Sequence, residues 1–404
     1  MTIKGLIGVV FVLSLFHATS GIAADLIAKE QLGKNLFFDS SLSFNNNQSC
    51  ATCHAPEVGW TGPGEAINRA GGVYEASVQG RFGNRKPPSS AYITASPRLH
   101  YDARSKSFVG GSFWDGRATG EMLGSTAADQ AIGPFLNPLE QGLPDAAALV
   151  QRVCSGAYAH RFKEVWGQQA CTDVNKAMGY IGLSIAAYEG SREVNRFDSK
   201  FDAYLAGTVR LTPQEQDGLR LFQGKGKCAQ CHTSKPGPNK LPPLFTDFTY
   251  DNIGIPRNPD NPFYYHREIN PMGAAWVDLG LGGFLQTQAR YRQYAQVNLG
   301  KHKVPTLRNV AQRPVKNMVK SYGHNGYFKS LKEVVHFYNS RDTLPVCGEE
   351  EVKPGIDCWP LPEVALNLNR REMGRLGLTD AEEEAIVAFL GTLSDGFVVP
   401  KQDQ

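Results

Sequence analysis

Apolar residues recur at helical spacing in five stretches of the chain: "AALVQRV" (147–153), "VNKAMGYIGLSIAAYEGS" (174–191), "LTPQEQDGLRLF" (211–222), "SLKEVVHFYNSRD" (330–342) and "TDAEEEAIVAFLGTLS" (379–394). Each reads as an amphipathic helix with one face to a core. The third carries its own start signal: Thr212 to cap, Pro213 in the first turn and Glu215 to complete a capping box. No segment sustains a period-two alternation, so strands should be few. Between the helices lie long Gly/Pro/Asn-rich loops, such as residues 248–273, which either wrap a cofactor or face a partner. The expectation is a mainly α fold.

The first residues differ in kind. Lys4, an apolar run from Leu6 to Phe16 and small residues up to Ala23–Ala24 have the proportions of a secretory signal. The run is short for a membrane span. An exported mature chain beginning near Asp25 is expected, with a periplasmic location and no stable membrane insertion. The formal charge of +3, with 41% hydrophobic and 20% charged residues, gives no case for nucleic-acid binding.

Export makes the eight cysteines informative. Cys154 with Cys171, and Cys347 with Cys358, are near neighbours and fit local disulfides. The other four fall as "CATCH" (Cys50, Cys53, His54) and "CAQCH" (Cys228, Cys231, His232). Cys-x-x-Cys-His is the attachment sequence of a c-type haem: two thioethers fix the ring and the adjacent His ligates iron. A shared structural zinc would use the four thiolates but leave both His without a task. A redox dithiol would need neither the second copy nor the His.

The chain also repeats itself. "EQLGKNLF" (30–37) returns as "EQDGLRLF" (215–222), "RKPPS" (85–89) as "HKVPT" (302–306), and Trp114-Asp115-Gly116 as His324-Asn325-Gly326. The order is kept while the offsets drift, as in two related units with unequal loops. The expected division is a signal (1–24), a first cytochrome c-like haem domain (25–208) and a second (209–404).

Two haems permit two functions. A carrier wants both irons six-coordinate, whereas an enzyme acting on peroxide needs one open iron with acid–base groups above it. After "CATCH", no His or Met follows for some thirty residues, which favours an open first haem. A non-catalytic di-haem electron carrier is the alternative of another class.

Beyond these motifs, "FWDGRA" (113–118), "DQAIGPFLNPLE" (129–140), "KVPTLRN" (303–309) and "GHNG" (323–326) follow in order. In these segments, and over essentially the whole mature chain, the sequence resembles the bacterial di-haem cytochrome c peroxidase and MauG family. The resemblance implies two covalently attached haems, hydrogen peroxide as substrate and an electron-donor protein or protein substrate. It makes His54 the proximal ligand of the peroxide-binding haem. Gln130, Pro134 and Glu140 become its distal residues, Trp114 lies between the haems, and His232 is the first ligand of the second haem. The family's second ligand there lies fourteen residues beyond the His of the "HxG" segment; from His324 that is Tyr338. Conventional peroxidases have Met at this place and the MauG branch has Tyr, while Met318 and His336 are nearby rivals. A phenolate stabilises ferric and higher-valent iron where a thioether favours ferrous. The family's blocking His after the first motif is absent, which again suggests the MauG branch, with conventional peroxidase activity as the alternative. Two departures stand out. The branch's Trp two residues before the second motif is Gly226 here, leaving Trp276 or a surface Tyr as an exit for oxidising equivalents. The family's calcium-binding Asn aligns with Lys86, its carbonyl ligands with Val319 and Ser321, and this puts calcium in doubt.

Overall fold

The computed structural model describes residues 26–237, 240–348 and 352–400; the expected signal segment lies outside them. The helices used below are α1 (Ala28–Phe38), α2 (Cys50–Cys53), α3 (Thr126–Ala131), α4 (Gly133–Leu136), α5 (Val174–Glu189), α6 (Lys200–Leu205), α7 (Pro213–Gln223), α8 (Leu331–Ser340) and α9 (Asp380–Gly391). The strands are short: β1 (His100–Asp102) pairs antiparallel with β2 (Ser107–Val109), and β3 (Tyr250–Asp251) with β4 (His302–Lys303). The fold is mainly helical, as the periodicity predicts. No helix among the described residues is long and apolar enough to cross a membrane.

The sequence repeat is a repeat of one helix crossing. In α1, Gly33 lies against α5 so closely that a Cβ there would overlap the carbonyl of Ser184 and touch Tyr188. In α7, Gly218 lies the same way against Ala385 and Phe389 of α9. Only glycine lets two helices approach so closely. The repeated phrase therefore keeps Gly because the crossing needs it. The capping box of α7 forms as its residues predict, Glu215 N donating to Thr212 Oγ1 (3.3 Å) and Thr212 N to Glu215 Oε2 (2.7 Å).

Each crossing carries its own core. Leu32, Leu36, Phe37, Trp60 and Tyr188 belong to one cluster, and Leu221, Phe222, Phe245, Phe337 and Phe389 to the other. Helix α6 precedes residue 208, yet its Phe201 packs in the second cluster, and Asp202 pairs with the buried Arg308 at 2.8 Å. By packing, the chain passes from one core to the other between Val194 and Phe201. Helix α6 lies on the first side of the expected boundary at 208, and its packing puts it with the second core.

The halves are stitched by exchange. Lys86 N donates to His324 O and Lys303 N to Trp114 O, both at 2.8 Å. These are the repeated segments, each bonded to the other half's partner segment. The 248–273 loop adds to the join, since Asn258 Nδ2 reaches Gly71 O and Asn261 Nδ2 reaches Asn84 O. Both expected disulfides, Cys154–Cys171 and Cys347–Cys358, are formed.

Candidate functional site

The short helix α2 places the first motif. His54 N donates to Cys50 O at 2.9 Å, so one turn presents both thiols and the imidazole to the same cavity. His54 Nδ1 lies 3.3 Å from Trp60 O. A proton on Nδ1 leaves the Nε2 lone pair free, the arrangement a metal-ligating His requires. Burial lowers the His54 pKa to about 4 and so keeps the ring neutral. The second motif repeats this: His232 N meets Cys228 O at 2.9 Å and His232 Nδ1 lies 2.9 Å from Phe245 O. Trp60 and Phe245 both have left-handed backbone (φ 61° and 53°). Each is anchored by its core: Trp60 edge-on to Phe37 and Tyr188, and Phe245 to Phe222 and Phe389. Sequence reasoning missed this pair because they stand six residues after His54 but thirteen after His232. The motif cysteines are unpaired while the other four form disulfides. Free thiols beside an imidazole with an available Nε2 fit a covalently held haem in each cavity.

Across the first cavity stand the expected distal residues. Ser125 Oγ caps α3 by accepting from Ala128 N, and α3 carries Gln130. Pro134 stands in the first turn of α4, whose C-terminus is capped by Asn137. The turn that follows closes through Glu140 N to Asn137 O at 3.0 Å. Asn137 Nδ2 donates to Glu140 Oε2 at 2.7 Å, fixing the carboxyl. Burial raises the Glu140 pKa, against the Asn137 hydrogen bond and the Arg117 charge. Gln130, Pro134 and Glu140 share the cavity with Cys50, Cys53 and His54. Among its described lining residues His54 is the sole histidine and there is no methionine. Glu189, at the end of α5, also lines it. This carboxyl is buried, its Oε2 has no partner, and desolvation pushes its pKa up to about 8. Only its place at the end of an apolar helix, "AAYEG", could have flagged it.

In the second cavity Tyr338, on α8, faces the space shared with Cys228, Cys231 and His232. Its hydroxyl makes no hydrogen bond among the described residues, and burial, then the neighbouring Cys231 and Asp251, raises its pKa. The rivals point elsewhere. Met318 packs with Ala55 and Val58, and His336 Nδ1 bonds Glu383 Oε1 at 2.9 Å. Met373, a buried thioether not singled out in the sequence, does line this cavity.

Trp114 lines both cavities. Its Nε1 donates to Lys86 O at 2.8 Å, and its ring stands edge-on to His324 with centroids 6.5 Å apart. His324 in turn stacks on His302 (3.5 Å, 11°). Asp278, His302 and His324 bring ligand-type atoms near one point. One ion does not suit them, because an imidazole lone pair lies in the ring plane and two parallel planes 3.5 Å apart share no such point.

The calcium alignment needs correction. Lys86 Nζ donates to Thr61 Oγ1 (2.8 Å) and Pro87 O (2.9 Å), neither replacing a cation at Val319 nor reaching solvent. The amide beside those residues belongs to Asn68, whose Nδ2 donates to Val319 O (3.3 Å) and whose Oδ1 accepts from Ser321 Oγ (2.9 Å). The alignment followed the "RKPPS" echo, and Asn68 sits outside it. Gly226 is buried, and a Cβ there would already meet Leu221 O at 2.9 Å. Trp276 is half-buried, edge-on to Phe263 at 5.0 Å.

Comparison with known proteins points one way. Residues 27–210 match the family model described as di-haem cytochrome c peroxidase. The chain is similar to the methylamine utilization protein MauG of Paracoccus denitrificans, at 36% identity over 90% of this chain and 88% of that protein. It is also similar to a cytochrome-c peroxidase of Denitromonas iodatirespirans, at 25% identity over 97% of this chain and 91% of that one. Among solved structures, the diheme peroxidase BthA of Burkholderia thailandensis superposes with a TM-score of 0.74 at 30% identity, covering 94% and 90% of the two chains. A tyrosine-to-methionine variant of BthA gives 0.76 at 31% identity, covering 93% and 88%.

Proposed function

The chain belongs to the di-haem cytochrome c peroxidase family of oxidoreductases, and on that premise we propose that it reduces hydrogen peroxide in the periplasm by oxidising a protein partner, as the MauG branch does. The observation that carries the peroxide reading is the buried Glu140 carboxyl in the His54 cavity, with no second histidine or methionine among the described lining residues to block the iron. Bound haem supplies the iron at which the oxygen–oxygen bond is cleaved and the electrons that reduce it.

The remaining work falls to side chains. Glu140 takes the proton from one peroxide oxygen and returns it to the departing one, for which a positioned carboxylate contributes about 10²–10⁴-fold. Asn137 holds the carboxyl in place, and Arg117 keeps positive charge near it. Gln130 offers an amide and Pro134 a dry wall. Trp114, lining both cavities, hands electrons from one to the other.

The MauG-like branch is favoured by Tyr338 in the second cavity. A conventional peroxidase, fed by a small redox protein, is the second reading, and Met373 supports it by offering a thioether in the same cavity. Two disulfides suit an oxidising compartment and support the periplasmic placement. Low-temperature EPR of the oxidised, peroxide-free protein tests the reading. One high-spin and one low-spin signal are expected, the latter altered in Tyr338→Met. Two low-spin signals at rest, with no open iron appearing after one-electron reduction, would establish the carrier instead.

A further inference from the structure

We propose that oxidising equivalents leave Trp114 along the chain His324–Glu363–Tyr264 to Trp276, where an outside electron donor is contacted. This rests on the peroxide reading above and names the exit that reading leaves open.

The steps are short and, until the last, buried. The Trp114 and His324 rings are 6.5 Å apart. His324 Nε2 lies 3.8 Å from Glu363 Oε2, and neither atom has a hydrogen-bond partner. Tyr264 Oη donates to Glu363 Oε1 at 3.3 Å. The Tyr264 and Trp276 rings are 6.0 Å apart. Tyr264 is 4% exposed, Trp276 is half-buried, and Tyr265 and Met272 beside them are exposed. Packing alone requires none of the unpaired polar atoms in this line, and each left buried without a partner is costly.

The chemistry of Tyr264 follows from its neighbours. Burial and the Glu363 carboxylate keep the phenol protonated. The Arg257 guanidinium lies 4.9 Å over its ring and opposes a positive charge there. Tyr264 can therefore give up an electron only as it gives up its proton, and Glu363 Oε1 receives it. An oxidised Trp114 takes the electron. Trp276 then returns an electron to the Tyr264 radical, Glu363 returns the proton, and the outside donor restores Trp276. Two such passages match the two electrons that one peroxide consumes, with no net change in the relay. Arg257 also holds the end of the line, its Nη2 donating to Trp276 O at 2.7 Å.

The test is peroxide added to the haem-loaded protein without donor, followed by freeze-quench EPR, peroxide consumption and peptide mass spectrometry of Trp276. Wild type should show a Tyr or Trp radical and oxidised Trp276. Trp276→Phe should leave a longer-lived tyrosyl signal. Tyr264→Phe should consume the first peroxide at the wild-type rate with Trp276 oxidation reduced about tenfold or more. Glu363→Gln, which keeps the side-chain shape, should slow radical arrival by about tenfold or more by removing the proton acceptor. Wild-type levels of Trp276 oxidation in both Tyr264→Phe and Glu363→Gln would overturn the route. Peroxide consumed without any radical at Tyr264 or Trp276 would overturn it too while sparing the peroxide reading. A wild type inert to peroxide would overturn both.

Discussion

Glu140 is a carboxyl in a place that resists ionisation, and its usefulness depends on being ionised when peroxide arrives. Because burial raises its pKa, activity should fall on the acid side at a pH above the ordinary carboxylate range, as the base becomes protonated. Glu140→Gln should lower peroxide turnover by about 10²–10⁴-fold and erase that acidic limb, with the ferric absorption spectrum unchanged. Steady-state peroxide reduction across pH checks both. Tyr338 makes a different kind of statement. Replacing a phenolate by a thioether favours the reduced iron, so Tyr338→Met should raise the reduction potential of the second haem in a spectroscopic redox titration. An unchanged potential would point to Met373 as the ligand already in place.

At the scale of elements, the two Gly-mediated crossings are the most demanding packing in the fold. Gly218→Ala should cost about 1–3 kcal/mol, the usual range for forcing a methyl into a filled core, since its Cβ would overlap Ala385. Gly33→Ala should do the same against Ser184, and the midpoint of guanidinium unfolding reports both. These glycines also explain what could be read beforehand. Helices, disulfides and duplication were legible because each is written locally: a period, a cysteine spacing, a repeated phrase. The cavity residues from His54 to Glu140 and Tyr338 were legible because their segments keep family spacing. Asn68, Glu189, Met373 and the Glu363–Tyr264 pair were not. The last two meet across 99 positions, and no local pattern announces a contact made only by the folded loops. The side taken by α6 was not legible either, because Phe201 declares its core only through the contacts with Phe245 and Phe389 that the fold makes.

For the whole molecule, one arginine spans the join. Arg85 Nη1 pairs with Asp115, while its Nε and Nη2 grip Asp278, every contact at 2.6 Å. Arg85→Ala would take from buried Asp278 its guanidinium and leave Asp115 to the more exposed Arg117 at 2.9 Å, and should cost up to about 3–5 kcal/mol, measured by denaturant unfolding at neutral pH. The carboxyls of Asp115 and Asp278 sit below their usual 3.8, and although burial opposes this, the Arg85 charge prevails. Their contribution is therefore complete above about pH 4 and is lost as the pH falls through the depressed values. Acid unfolding of the wild type should follow that loss, and the variant should begin to fail at higher pH.

The exchanged bonds across the same join constrain how such a protein changes over generations. The carbonyl of Trp114 is held by the second half's Lys303, and that of His324 by the first half's Lys86. Each half supplies the seat for the other's most chemically loaded residue. A half cut free would lose its partner's donor and the geometry its own tryptophan or histidine depends on. The donors are backbone N–H groups, so side chains there can drift, but a proline or an inserted residue at either seat would unsettle the residue it holds in the other half.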